Sequence, residues 1–200
     1  MSADSATKTL QLLSKRGVLR PCELAELGIP RAVVWRLWRQ GRVERSGRGL
    51  YRASGASVTE HRSLAEVGKR APQGVLCLLS ALQFHGIGTQ APGEVWLALA
   101  RGAWKPRIEW PPLRVVRLTG TAFTALAERH VVEGVTVQVY SPAKTVADCF
   151  RFRNRIGLDV AMEVLRDVWH SHRCTMDQLW EAARVCRVAT VMRPYLESLT

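Results

Sequence analysis

The 200 residues predict an α+β protein in two parts: three short helices with a β-hairpin, then a mixed α/β region with a small sheet and several helices. Three observations carry this. Apolar residues recur at spacings of three and four up to Gln40. Two glycines punctuate a basic turn between short β-prone runs at 43–53. Beyond these, the runs EVWLALA, LRVVRL and VTVQVY alternate with helical segments.

The first helix covers Ala6–Arg16, with Leu10 and Leu13 on one face and Gly17 as its stop. Val18 and Leu19 make a short extended piece. Pro21 then takes the first turn of a second helix, which turns Leu24 and Leu27 to one side and closes at Gly28. Pro30 opens a third helix that continues through Gln40 and ends at Gly41. Val43 and Leu50–Tyr51 flank the turn Ser46-Gly47-Arg48-Gly49, whose glycines supply the positive φ angles of a tight hairpin. Three helices, the second and third separated by a glycine turn, followed by a hairpin, make a winged helix-turn-helix spanning residues 1–53. SGAS at 54–57 has linker composition, which leaves 58–200 as the second domain. There, Val58–Arg70 and Gly74–His85 read as helices. Glu94–Ala100, Leu113–Leu118 and Val135–Tyr140 read as strands, and Pro142–Phe152, Leu158–His170, Thr175–Val185 and Val188–Leu199 as helices.

With 29 Lys and Arg against 17 Asp and Glu, the net charge of +12 favours nucleic acid, an anionic membrane or an acidic partner. No apolar run approaches the ~20 residues that span a bilayer. The first residues, MSADSATKTLQLLSKRG, lack a basic segment followed by an apolar core, so a cytoplasmic protein without a membrane partner is expected. The five cysteines are widely spaced, with no C-x-x-C pair and no histidine at a zinc-ligand distance. Reduced thiols are expected, with no metal and no cofactor.

The charge concentrates in Arg31–Ser54, which holds seven arginines and one acid, Glu44. At about 100° per residue, Val33, Val34, Leu37 and Trp38 fall on one arc of the third helix. Ala32, Arg36, Arg39 and Gln40 fall on the other, and Arg31 and Trp35 lie at the border. A merely solvated face would carry acidic partners at i,i+4, and no acid lies between Arg31 and Arg42. Arginine forks onto guanine edges and glutamine onto adenine, so the face has base-reading as well as phosphate-binding chemistry. The candidate DNA-binding residues are Arg31, Trp35, Arg36, Arg39 and Gln40 of the helix, with Arg42, Arg45, Arg48 and Arg52 of the hairpin. Arg48 either touches DNA or decorates its turn, and Arg52 is expected as a peripheral phosphate contact.

Two further basic segments stand out. Arg151, Arg153 and Arg155 around Phe152 form either a second nucleic-acid patch or a helix end whose cations face its dipole. Arg101–Arg117 carries Arg101, Lys105, Arg107, Arg114 and Arg117 with Trp104 and Trp110, a composition that suits more DNA, a toxin or an RNA.

Catalysis finds little support. Ser80 and His85 are five positions apart, about 140° around a helix, and share no face. His85 is expected at a helix end beside Gly86, where the dipole favours an imidazolium. Asp159, Glu163 and Asp167 read as a solvated stripe, and Asp148, between Val146 and Phe150, as half of a buried pair with an arginine. Neither a G-x-S-x-G elbow nor a phosphate-binding loop occurs, so no catalytic residue is assigned and no enzyme is expected.

Three blocks in order, LQLLSKRGVLRPCELAELGIPRAVVWRLWRQGRVERSGRGLYRAS, LLSALQFHGI and SPAKTVADCFRFRNRIGLDVAMEVLRD, resemble the AbiEi antitoxins of type IV toxin-antitoxin systems, a group tied to phage defence. The resemblance implies a winged helix that represses its own promoter at inverted repeats, two copies per operator. It also implies a C-terminal domain that counteracts a nucleotidyltransferase-like toxin without a stable complex. Arg48–Tyr51 matches the family's wing. The residues alone leave two alternatives open, an RNA- or protein-binding module and a transcriptional regulator without a toxin.

Overall fold

The computed structural model describes residues 3–47, 49–54 and 61–199. They divide into two compact units, 1–70 with 131–136, and 71–130 with 137–200.

In the first unit α1 (Ala3–Arg16), α2 (Pro21–Glu26) and α3 (Arg31–Arg39) precede a hairpin of β1 (Val43–Gly47) and β2 (Leu50–Ala53). Leu13, Leu19, Leu24, Ile29, Val34, Leu37 and Val43 bury themselves together, drawn from the three helices, β1 and the segments between them, with Tyr51 and Ala53 of β2 packed against the cluster. Leu19 exchanges backbone hydrogen bonds of 3.0 and 2.9 Å with Tyr51, so the piece between α1 and α2 adds a rung to β2. In the hairpin turn Gly49 takes φ +74, whereas Gly47 ends β1 beyond a register shift after Arg45.

The unit boundary falls at residue 70, later than the linker at 54–57, because α4 (Arg62–Arg70) groups with the first three helices. Charged side chains tie it there. Lys69 bonds to Glu23 of α2, and the Arg20 guanidinium donates to the Lys69 carbonyl. Arg62 Nε reaches the buried Glu66 at 3.0 Å. Burial opposes ionisation of Glu23, yet the Lys69 ammonium and the Arg20 N–H, at 2.7 Å, outweigh it and hold the carboxyl below its ordinary value. Of the expected linker, Ser54 is a turn residue donating its N–H to the Arg42 carbonyl at 2.9 Å. Residues 55–60, including the expected start of the helix at Val58, lie outside the described residues. Segment 131–136 meets the end of α1 backbone to backbone. A Cβ on Gly17 would sit 1.7 Å from the Glu133 carbonyl oxygen, and one on Gly134 2.3 Å from the Arg16 carbonyl carbon, so neither position tolerates a side chain.

The second unit starts with β3 (Val75–Leu76), α5 (Leu78–His85), β4 (Val95–Ala100) and β5 (Leu113–Leu118). Next come α6 (Thr121–Thr124), β6 (Ala127–Val132) and β7 (Val135–Tyr140). The helices α7 (Pro142–Arg151), α8 (Arg153–Ile156), α9 (Leu158–His170), α10 (Met176–Val185) and α11 (Ala189–Glu197) follow. The sheet runs β5-β4-β3-β7-β6. β4 and β5 are parallel from Val95↔Leu113 to Ala100↔Leu118; β3, at the centre, is antiparallel to β4 and parallel to β7. β3 and β6 depart from the sequence expectation. Val75-Leu76 opened an expected helix, and a short apolar run fits a buried strand equally well. β6 is an edge strand with Glu128, Arg129 and Val131 exposed, so it lacks an apolar face to announce it.

The helix α7 is buried on every side, from Ala143 through Phe150, and packs against α5, α9, α10 and α11. Ser141 caps it, its hydroxyl accepting from the Lys144 N–H at 3.3 Å, and Pro142 takes the first turn. Two of its buried residues are charged. Lys144 Nζ lies 2.5 Å from Asp148 Oδ2, one helical turn on, and 4.2 Å from the Tyr140 ring centroid. Cys186 Sγ donates to the other carboxylate oxygen at 3.3 Å. Asp148 is therefore half of a buried pair as expected, but with Lys144 in place of an arginine. Burial, joined by the Asp148 charge, pushes the thiols of Cys77 and Cys149 well up and that of Cys186 to about 12.

Removing one member strands the other in a dry core. Asp148→Asn and Lys144→Met are each expected to cost about 3–5 kcal/mol, whereas the double substitution Lys144→Met/Asp148→Leu recovers most of the loss. Urea unfolding of the three variants checks this, and a double variant as unstable as the singles would refute the pairing.

Candidate nucleic-acid interface

The helix α3 turns Val34 and Leu37 into the first unit's core, with Val33 partly buried beside them. Its opposite side exposes Arg31, Ala32 and Arg39, with Gln40 one residue past the helix end. Arg36 is partly buried. Trp35, at the border of the two arcs, is 55% exposed. Trp38, expected on the core arc, is 46% exposed, although its neighbour Leu37 is fully buried. The sequence reading thus missed one surface indole. The Arg39 guanidinium lies 4.8 Å over the Trp35 ring, one turn back. A guanidinium held against an indole in this way is partly ordered, and guanidiniums fork onto phosphates and guanines.

Arg42 and Arg45 are exposed on the hairpin, and Arg48 lies outside the described residues. Arg52 stands directly across from Glu44 in the register, and the two form an ion pair. The one acid of the basic stretch is thus engaged by an arginine of the same hairpin, and Arg52 is committed to the hairpin's own structure.

In the second unit the candidate groups hold one another. Ser80 is buried and its Oγ accepts from the Trp96 N–H at 2.8 Å. His85 ends α5, as expected, but its Nε2 lies 2.8 Å from the Tyr140 carbonyl oxygen and burial pulls its pKa below the ordinary value, the reverse of the expected dipole effect. Glu163 and Asp167 are not a solvated stripe. Glu163 Oε1 accepts from the Thr89 N–H and hydroxyl, both at 2.8 Å, and Asp167 Oδ2 from the Gly88 N–H at 2.7 Å. They clamp α9 to the loop after α5, while Asp159 is exposed. Arg151 and Arg155 both lie over the Phe152 ring, at 5.8 and 5.6 Å, and Arg153 Nη1 donates to the Phe150 carbonyl at 3.0 Å. Among the described residues no cluster of three metal-ligating side chains forms, and no helix is long and apolar enough to cross a membrane.

Residues 8–54 match the family model described as "Transcriptional regulator, AbiEi antitoxin", so the resemblance read from the sequence holds over this stretch. The fold is similar to the crystal structure of the RV2827C protein from Mycobacterium tuberculosis, with a TM-score of 0.63 at 16% sequence identity. That likeness covers 100% of this chain and 78% of the other. No curated protein sequence matches.

A pH dependence follows from His85. Its pKa is lower in the folded state, so the unfolded chain takes up the proton first, and stability contributed by neutral His85 is complete above about 6.5 and declines as the pH falls below it. Comparing urea midpoints of the parent and His85→Gln between pH 7.5 and 5 should show the parent losing more; parallel curves would assign the acid sensitivity to another group.

Proposed function

We propose that residues 3–54 act as a winged helix-turn-helix that reads duplex DNA, with α3 in the major groove and the β1–β2 hairpin as the wing beside it. The observation that carries the reading is the exposed basic face of α3, which holds no acid of its own. Arg31, Arg39 and Gln40 are exposed over a side fixed to the core by Val34 and Leu37, and the acid of the stretch, Glu44, is bound to Arg52. In this reading Arg31, Arg36, Arg39 and Gln40 face the bases, and Arg39 arrives already ordered by Trp35. Arg42, Arg45 and Arg48 meet phosphates, while Arg52 shapes the wing through Glu44. Trp35 and Trp38 offer apolar edges to thymine methyls and sugars.

The match over 8–54 to a regulator and antitoxin family supports the rest of the reading: repression of the protein's own promoter at inverted repeats, with two copies on the operator. The description of the family matched over 8–54 names an antitoxin, and in this proposal that part falls to the second unit, acting in the cytoplasm against a nucleotidyltransferase-like toxin without a lasting complex and without catalysis of its own. Arg151, Arg153 and Arg155 take the helix-end role in this account, since their guanidiniums are turned to Phe152 and the Phe150 carbonyl.

A gel-shift titration against the DNA upstream of the gene, with scrambled duplex as competitor and salt varied, tests the proposal. Selective binding is expected, with log K falling by about 0.9 per phosphate neutralised for each log unit of salt. Arg39→Ala should cost about 1–3 kcal/mol of discrimination at an unchanged slope if Arg39 meets a base, or lower the slope by about one if it meets a phosphate. Equal binding of operator and scrambled duplex would reject the assignment of α3. Glu44→Gln removes the local acid and releases Arg52, so affinity for any duplex should rise and its salt slope steepen; the same titration with scrambled DNA reads this out.

A further inference from the structure

The loop between the parallel strands β4 and β5, residues 101–112, has no part in the reading above. It carries two of the most exposed apolar side chains among the described residues, Trp104 at 91% and Trp110 at 67%. Arg101, Lys105 and Arg107 are exposed around them, against one acid, Glu109. The loop is nonetheless held firmly. Arg117 of β5 donates Nη1 to the carbonyls of Ala100 and Ala103, at 3.1 and 2.5 Å. The Arg101 N–H bonds to the Leu118 carbonyl at 3.0 Å and the Val95 N–H to the Pro112 carbonyl at 2.8 Å, closing both ends onto the sheet, and Pro111 is buried. An indole 91% exposed contributes almost nothing to folding, so its burial is left for a partner.

The nature of that partner follows from the loop's chemistry. Cations interleaved with aromatic rings bind a phosphodiester chain through charge and its bases through stacking. Duplex DNA offers its phosphates but keeps its base faces covered by neighbouring pairs, so two open indoles answer to unpaired bases. Elsewhere in the chain an arginine lies over an indole: Arg39 over Trp35 and Arg114, paired with Glu94, over Trp96. We infer that residues 101–112 form a binding site for single-stranded nucleic acid, in which Trp104 and Trp110 stack on unpaired bases and Arg101, Lys105 and Arg107 hold the phosphates. The site is independent of duplex reading by α3, and RNA and single-stranded DNA share the chemistry it recognises.

Fluorescence anisotropy on the full chain tests this, with fluorescein-labelled 12-nucleotide RNA, the same sequence as single-stranded DNA, and its duplex as probes. The strands should lack self-complementarity. One or both single strands are expected to bind, and the difference between them names the natural source. Trp104→Ala/Trp110→Ala should weaken single-strand binding roughly tenfold or more, whereas Trp104→Phe/Trp110→Phe, which keeps a ring at each position, retains most of it. Duplex binding should be unchanged in both, and Arg39→Ala should leave single-strand binding intact, which separates this site from α3. The indoles are exposed, so thermal melts of the variants should match the parent. The inference is overturned if the parent binds neither single strand, if the alanine pair binds them as well as the parent does, or if duplex binding falls by as much.

Discussion

The second unit is organised around a pair of charges placed where charges are most expensive. The helix α7 has no wet side: every residue from Ala143 to Phe150 is buried, so Lys144 and Asp148 had to be matched to each other or replaced by hydrocarbon. The i,i+4 spacing aligns them on one face, and the neighbourhood completes the match. Tyr140 lends its ring to the ammonium, and Cys186, from the end of α10, lends an S–H to the carboxylate. A two-charge network with partners contributed by β7 and the end of α10 fixes the rotation and depth of α7 more sharply than apolar contacts alone, because a shift of the helix would carry the pair away from the Tyr140 ring and the Cys186 thiol. The packing of α5, α9, α10 and α11 around that helix inherits this register.

The first unit adds polar ties to its apolar packing. Glu23, Lys69 and Arg20 link α4 to α2, and Glu44 pairs with Arg52 across the hairpin. The acids of this unit that are engaged in such ties are unavailable to neutralise α3. A helix one side of which is fixed by Val34 and Leu37, and which exposes Arg31 and Arg39 with no acid of its own, is held in place and basic at once. That pairing of a fixed side with exposed positive charge is what an anion-reading surface requires.

Much of this was legible in the sequence. Glycine and proline punctuation located α2 and α3, and alternation with β-branched residues located β4, β5 and β7, to within a residue or two, since those signals are local. What escaped depends on contacts distant in sequence. Val75-Leu76 is a strand only because β4 and β7 flank it. The polar edge strand β6 has no pattern of its own, although Glu133-Gly134 between valines marked its turn. The unit boundary moved because Lys69 finds Glu23, 46 residues away. For the candidate site the helical arcs put Val34 and Leu37 on the buried side and Ala32, Arg39 and Gln40 on the exposed one, left Arg31 and Trp35 at the border, and failed on Trp38. The polar groups of the second unit were harder still. That Glu163 and Asp167 face Gly88 and Thr89, rather than water, follows from tertiary contact alone.

The tryptophans connect the two halves of the functional argument. Seven occur in the chain, and four of them, Trp35, Trp38, Trp104 and Trp110, are exposed beside basic residues. Exposing four indoles forgoes several kcal/mol of burial at about 25 cal/mol per Å², so their surroundings indicate what each awaits. Trp35 has an arginine over its ring, so its face is already occupied; this suits the phosphates and base edges of a closed duplex better than unpaired bases. Trp104 and Trp110 stand on a loop tied down by Arg117, with cations beside them, an arrangement suited to bases that have left their stack. Under the two proposals one residue type serves two kinds of recognition, a closed duplex at α3 and unpaired bases at residues 101–112.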